Sequence, residues 1–581
     1  MTTDVSTLEL PYRKARPADF PAARYPGFRP ERKHFKAGDV ARPGGLPLTC
    51  NIVMDQDVAV ALRDGTLIYV DIFRPSETAV DLPAIVGWGP YGKQGGVICF
   101  DDLPFRGGVP VGSVSGLEMF EGPDPAYWCQ HGYAVINADA RGVCSSQGDI
   151  HCWGVQEGRD GHDLVEWIAA QPWSNGKVGL TGTSWLAIVQ WFIAAQRPAH
   201  LAAIAPCEGW SDLYRTDVVR GGIPDAAFND HMVSMFAGGG RVEDVPSMVR
   251  ADPTMNAYWQ DKIPALEDIE VPAYVVSSWT NLIHAIGTFG GWRGIASRDK
   301  WLRVHNTHEW DDYYSRVEDL RRFFDHTLKG LNNGWRRTPR VRMAILEPGK
   351  QDIVDRAEGD FPLARTSYQP LFLDAAHGTL GEQQPGVAAS ATYDPCDKAS
   401  RISFTHRFDK DTELAGYIKL RLWVEAVDAD DLDIYAEVRK LDADGRHLGA
   451  RTFLPPGTAR TDLPESPDTM SGMLIFSGAK GMQRASMRHV DPARSGPAEP
   501  YHTFDRVEKL APGEIVPVDI QIWPLGMVWR AGEQISLVIG GQKLSGMEFP
   551  GLAGPDTVNR GRHVVHTGGR FDSHLLIPVT G

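Results

Sequence analysis

No stretch of this chain of 581 residues approaches the roughly eighteen uninterrupted apolar residues that a membrane-crossing helix needs. The opening segment, MTTDVSTLELPYRKARPADF, has no apolar run after a basic start of the kind that marks a secretory leader. A cytoplasmic protein is therefore expected. Cysteine is scarce: seven residues, at 50, 99, 129, 144, 152, 207 and 396, with no C-x-x-C pair. That pattern excludes the usual zinc and dithiol centres, and most of these thiols should be reduced and buried. Positive charge is also in deficit, with 59 basic against 74 acidic residues and a formal charge of −15. This balance disfavours phosphate backbones and anionic lipid, so neither nucleic acid nor membrane is an expected partner. Internal repeats and low-complexity linkers are missing too. No cofactor is expected, and self-association into a homo-oligomer stays compatible with the composition.

What is present reads as an ordinary globular enzyme-sized chain, 42% hydrophobic and 23% charged. Residues 1–54 are rich in Pro, Arg and aromatics without sustained periodicity, and should form an extended arm. From Val58 short apolar runs alternate with turns (VAVALRDG, TLIYVDIFRP, LPAIVGWGPYG, YAVINADARG), and Asp64-Gly65 between two of them predicts a hairpin. EGRDGHDLVEWIAAQ has helical apolar spacing, KVGLTG is a short buried strand, and WLAIVQWFIAAQR is a long apolar helix ended by Pro198. LAAIAPCEG, PAYVVSSW and KWLRVH continue the strands. Alternation of this kind predicts an α/β class with a mostly parallel sheet covered on both faces. Gly-, Asp- and Met-bearing sequence at 207–269 interrupts it as an inserted helical cap would. EDLRRFFDHTLKG closes the first body, with Gly330 as its cap. After Arg340 the alternation becomes that of strands alone (YIKLRLWVEAV, LDIYAEVRKL, VPVDIQIWPL, QISLVIGG), which predicts a β-sandwich.

The chemical signal is Gly182-Thr183-Ser184-Trp185, where a buried strand meets a helix. A serine on such a sharp turn projects its hydroxyl clear of the sheet, with neighbouring N–H groups at a helix N-terminus. Leu186 stands where G-x-S-x-G has its second glycine, so a serine that merely caps the helix is the alternative. A serine nucleophile needs a base, and in this kind of sheet the acid and then the histidine follow on later strand ends. PAYVVSSWTNLIH ends the strand where the acid belongs, and KWLRVHNTHEW ends the next, where His305 and His308 compete for the base. Their H-x-x-H spacing lacks a third ligand, so no metal site is expected.

PWSNGKVGLTGTSW, GPYGK (89–93), DARG (139–142), SDLYR (211–215), FFDHTLKGLNNGW (323–335) and RASMR (484–488) together resemble the cocaine-esterase and X-prolyl dipeptidyl aminopeptidase family over roughly residues 55–575. The resemblance implies an α/β-hydrolase core (55–206 and 270–337), the helical cap (207–269) and a C-terminal jelly-roll β-sandwich (338–581). It implies that Tyr91 donates its hydroxyl to the oxyanion and that the N–H of Trp185 is the second donor. It also places Asn281 where family members carry the triad aspartate, and a gapless count from Lys300 puts the catalytic histidine on His308, with His305 the other choice. An asparagine can accept an imidazole N–H but cannot stabilise an imidazolium by charge. Either the triad is Ser-His-Asn, or Glu309, Asp311 or Asp312 serves.

The leading reading is a serine hydrolase that cleaves a small-molecule ester or related acyl bond through an acyl-enzyme on Ser184. A dipeptidyl aminopeptidase or amino-acid ester hydrolase is the alternative, and would need carboxylates for a substrate ammonium. Glu208, Asp212, Asp217 and Asp225 are the cap's candidates. A third reading, from a different class, is a carbohydrate- or ligand-binding protein on a relic hydrolase core.

Overall fold

The computed structural model describes residues 9–452, 475–544 and 552–581, except 553 and 556. The first eight residues of the expected arm therefore lie outside the described residues. The rest of the arm runs along the surface, pairing Tyr12–Lys14 with Arg241–Glu243 of the cap and supplying the edge strand β1 (Glu31–Phe35).

Eleven strands form the main sheet. They are β1, β2 (Ile52–Ala61), β3 (Leu67–Arg74), β4 (Leu82–Gly89), β5 (Ala134–Asp139), β6 (Ser174–Thr183), β7 (Leu201–Cys207), β8 (Ala273–Ser278), β9 (Lys300–His305), β10 (Val341–Ile345) and β11 (Ile353–Glu358), in the order β11-β10-β9-β8-β7-β6-β4-β5-β3-β2-β1. The strands from β5 to β10 run parallel, and antiparallel strands complete both edges. The central strands are buried along their whole length, as β4, β5 and β8 show, and this explains why they read as continuous apolar runs rather than alternating ones. Asp64-Gly65 turns the β2–β3 hairpin, whose register starts at Ala61 opposite Leu67. Helices α1 (Gly154–Ala169), α2 (Trp185–Ala195), α6 (Ala285–Gly294), α7 (Glu309–Ser315) and α8 (Val317–Thr327) complete this body, and Gly330 takes the positive φ of +69° expected after a helix end. Between them, residues 207–269 carry the short helices α3 (Ala227–Met235), α4 (Val245–Ala251) and α5 (Ala257–Asp261). None of the described helices is long and apolar enough to cross a membrane.

Among the described residues beyond Glu358, every regular element is a strand or a single 3₁₀ turn. Twelve strands share one sheet, which the pairing of His574–Thr580 with β12 (Thr412–Val427) closes on itself. Alternate residues of β12 point inward from Ile418 on, as a strand with one face on a core requires. This β domain is joined to the main sheet by backbone. Leu346, just past β10, exchanges hydrogen bonds with Gly526 and Val528 of β14 (Val516–Trp529; β13 is Ala479–Arg484) at 2.8 and 3.0 Å. Gly526 permits the approach: a Cβ there would lie 2.5 Å from the indole of Trp279, at the end of β8.

Candidate active site

Ser184 holds φ +51° and ψ −117° between β6 and α2. Such a conformation strains a non-glycine residue and persists only where its surroundings fix it. Here the Ser184 N–H is bonded to the carbonyls of Cys207 and Glu208 at 3.3 and 3.2 Å, which ties the turn to the end of β7. Gly182 is required, since a Cβ there would stand 2.5 Å from that of Leu186. Leu186 itself is accommodated by glycines on the neighbouring strand. A side chain at Gly89 of β4 would meet Leu186 Cδ1 at 2.8 Å. The small residue absent from the helix has its counterpart on β4, and the departure from G-x-S-x-G leaves the turn intact.

The imidazole at the serine is that of His284, whose Nε2 stands 3.1 Å from Ser184 Oγ. His284 opens α6, immediately after β8, and the sequence reading did not single it out. The segment is held by Asn281, whose Oδ1 accepts the N–H groups of Ile283 and His284 at 2.9 and 3.0 Å. Asn281 thus lies at the strand end expected for the acid, but it fixes backbone and donates its Nδ2–H to Glu309 Oε2 at 3.1 Å. Burial lowers the His284 pKa to about 3, with a further contribution from His308, so the ring is neutral. Its Nδ1 has no hydrogen-bond partner among the described residues.

The two histidines expected as the base lie in the same region, His308 within electrostatic range of His284 and His305 within range of His308. His305, the last residue of β9, sits beside Ser278 in the parallel register and points its Nε2 at Glu208 Oε1, 3.0 Å away without hydrogen-bond alignment. Its Nδ1 faces Thr307 and, at 3.9 Å, Asp312. His308 caps α7 with its ring 4.6 Å from that of Trp310, and burial lowers its pKa to about 3. β9 is one strand further from β6 than β8 is, and the loop after β8 brings His284 to the serine. An asparagine followed three residues later by histidine, after a buried strand, was the available signal.

Of the three nearby carboxylates, Asp312 is engaged with Arg303, its Oδ1 2.9 Å from the guanidinium, and the pair holds Asp312 below the usual carboxylate range despite its burial. Asp311 is only partly buried, with its pKa raised. Glu309 approaches the reacting groups, its Oε2 3.9 Å from His284 Nε2. Burial, with Glu121 and Glu208 nearby, pushes its pKa well above the usual carboxylate range.

Tyr91 follows β4 and is fully buried against Phe120, Trp185 and Phe236. Its hydroxyl lies close to Ser184 and Glu121, and burial keeps the phenol protonated. Trp185 stacks on Trp153 at 3.8 Å, and its backbone N–H, at the start of α2, contacts the Glu121 carboxyl. Glu121 also accepts from Trp310 Nε1 at 2.9 Å, and burial pushes its pKa up to about 8. Tyr91 and Trp185, the donors that the resemblance implied for an oxyanion, both lie near Ser184 and the Glu121 carboxyl.

Known proteins bear on this geometry. The sequence profile of the X-Pro dipeptidyl-peptidase (S15 family) matches residues 64–244, and that of the X-Pro dipeptidyl-peptidase C-terminal non-catalytic domain matches 333–576. The crystal structure of a CocE/NonD family hydrolase from Staphylococcus aureus superposes with a TM-score of 0.85 at 32% identity, over 95% of this chain and 97% of that one. Cocaine esterase of a Rhodococcus strain is 24% identical over 68% of this chain and 82% of its own length. An α-amino acid ester hydrolase shares the fold, with a TM-score of 0.63 at 14% identity over 91% of this chain and 96% of that one.

Proposed function

We propose, from the premise that this chain belongs to the CocE/NonD hydrolase family, that Ser184 attacks an ester or related acyl carbonyl and carries the acyl group as a covalent intermediate. The chain is a serine hydrolase acting on ester or acyl bonds. The single observation that carries the assignment of roles is the 3.1 Å contact of a neutral imidazole, His284 Nε2, with a serine hydroxyl held on a strained strand-to-helix turn. His284 takes the hydroxyl proton as the Oγ–carbon bond forms. It returns that proton to the leaving group as the tetrahedral species collapses, and water then repeats the sequence to free the acid. The oxygen that becomes negative faces the Tyr91 hydroxyl and the Trp185 N–H at the N-terminus of α2, donors already in place before reaction. Glu121 takes part in its neutral form, because a carboxylate there would oppose the oxyanion. Asn281 positions His284 through the backbone, and Glu309 is the carboxyl nearest the imidazolium.

In this reading residues 55–206 and 270–337 are an α/β-hydrolase core, 207–269 its cap, 338–581 a jelly-roll domain and 1–54 the arm. A small-molecule ester or acyl compound is the substrate class. The amino-acid ester or X-Pro alternative is supported by one observation. Asp212, Asp217 and Asp225 are engaged with Arg215, Asn229 and Lys543, whereas Glu208 is 0% exposed and, with His305 Nε2 3.0 Å away, has no hydrogen bond among the described residues. An ammonium-bearing substrate would satisfy it. Comparing a simple acyl ester, an α-amino ester and an X-Pro anilide on wild type and Ser184→Ala tests both readings. Hydrolysis of none of them, or equal hydrolysis by both proteins, would overturn the role of Ser184.

A further inference from the structure

A cavity of about 240 Å³ lies where the cap, the segment after β8 and the β domain meet. Its lining is dominated by cations: Arg215, Arg220, Arg293, Lys480 and Arg494, against the single acid Glu499. In a chain of net charge −15 this is a local reversal. Three of the cations are already neutralised, Arg215 by Asp212 at 2.9 Å, Lys480 by Glu437 at 3.1 Å and Arg293 by Glu499. The other two have no carboxylate partner among the described residues. Arg494 lies 3.7 Å over the ring of Tyr501. Arg220 donates Nη1–H to the Leu282 carbonyl at 2.8 Å and lies over Trp523, but its Nε–H is buried without a partner.

A buried guanidinium N–H without an acceptor costs free energy that a bound anion would recover. The walls are also fixed, because the cap and the β domain are in backbone contact: a Cβ on Gly221 would lie 1.9 Å from the Met482 carbonyl oxygen. A cavity with rigid walls, two guanidiniums outside any carboxylate ion pair among the described residues, Arg220 having the Asp217 charge in its neighbourhood, and the aromatic faces of Tyr501 and Trp523 matches a small organic anion with a planar charged end.

We propose that this cavity is a binding site for a small organic carboxylate, its charge taken by Arg220 and Arg494 and its apolar part by Tyr501 and Trp523. The site does not require Ser184. It touches the catalytic segment nonetheless, because Leu282 and Ile286 line it on either side of His284 and Arg220 holds the Leu282 carbonyl. The carboxylate is either part of the substrate itself or a separate ligand that acts on the turnover of neutral esters.

The test is calorimetric titration of the full-length Ser184→Ala protein with phenylacetate and its neutral isostere phenylacetamide. One phenylacetate should bind per chain, at least tenfold more tightly than the amide. Arg494→Gln, a change at an exposed residue, should weaken phenylacetate at least tenfold and leave the amide unchanged. Added salt should weaken the acid alone. Steady-state hydrolysis of a neutral ester by the unaltered enzyme then separates the two sources. Competitive inhibition by phenylacetate marks a substrate subsite, and a change in turnover at saturating ester marks a separate ligand. Failure of phenylacetate to bind, equal affinity for acid and amide, or indifference to Arg494→Gln would overturn the proposal. Because binding is read on a protein without the nucleophile, such a failure would leave the role of Ser184 untouched.

Discussion

At the scale of single residues, the account rests on which imidazole meets the serine. His284→Ala should lower turnover by about 10³-fold or more, since general base and oriented proton donor are lost together, whereas His305→Ala and His308→Ala should each cost far less. Steady-state kinetics on the three variants would reverse the assignment if His308→Ala alone abolished activity. Asn281→Asp is informative because its carboxylate could still accept the Ile283 and His284 N–H groups. It would lose the Nδ2–H bond to Glu309, 3.1 Å away, and set a charge beside a second carboxyl. Turnover should stay level or fall. A tenfold rise would show that this position had lacked an acid acting on the base. The pH dependence follows from the same groups. His284, with its pKa lowered to about 3 by burial, is neutral throughout the usual range, so no loss of activity is expected as pH falls from 7 to about 5. Glu121, raised to about 8, is protonated below that value and ionises above it, facing the oxyanion with a negative charge. Activity should therefore decline as pH rises through about 8, and Glu121→Gln should remove that limb. A profile unchanged by Glu121→Gln would remove Glu121 from the oxyanion site. Tyr91→Phe should lower turnover by about 10²- to 10³-fold with little effect on KM, the behaviour of a donor whose bond strengthens in the transition state.

At the scale of elements, the packing of β4 against α2 is the sharpest structural claim. Gly89→Ala places a methyl group 2.8 Å from Leu186 Cδ1, and overpacking of this kind should cost about 1–3 kcal/mol in urea unfolding. Leu186→Ala in the same chain should recover part of that loss, and a strictly additive double variant would contradict the contact. Much at this scale was legible beforehand. The hairpin at Asp64-Gly65, the buried strands, the helices that became α1, α2 and α8, and the all-strand tail were written in periodicity and punctuation. Ser184 was legible because a βα turn with Gly182 constrains its own geometry locally. His284 was not legible as a candidate. Which of three histidines on two adjacent loops reaches a serine on another strand depends on loop shape and strand order, and neither has a period in the sequence. Asn281 was placed correctly at the strand end, but its partner is the backbone of its own segment, a contact that a comparison by residue type does not reveal.

At the scale of the whole molecule, two bodies share one seam, and the catalytic segment runs along it. Trp279, two residues before Asn281, donates its indole N–H to the Ala344 carbonyl at 2.7 Å and stacks on Phe289 at 5.1 Å, while β14 presses on it through Gly526. A side chain at 526 has no room, so Gly526→Val should lower Tm and reduce turnover together, through displacement of Trp279 and the His284 segment. Normal turnover with a lowered Tm would show that the seam is structural alone. The closed β domain is thus part of what holds the base against the nucleophile. The most direct test of that central claim is the rate at which a fluorophosphonate probe modifies the intact chain, followed by mass spectrometry, because phosphonylation requires an activated serine hydroxyl and no particular substrate. The account predicts one adduct, located on Ser184, forming at least a hundredfold more slowly in His284→Ala and at near-normal rate in His308→Ala. An unmodified Ser184, or labelling that survives His284→Ala and is lost in His308→Ala, would contradict it.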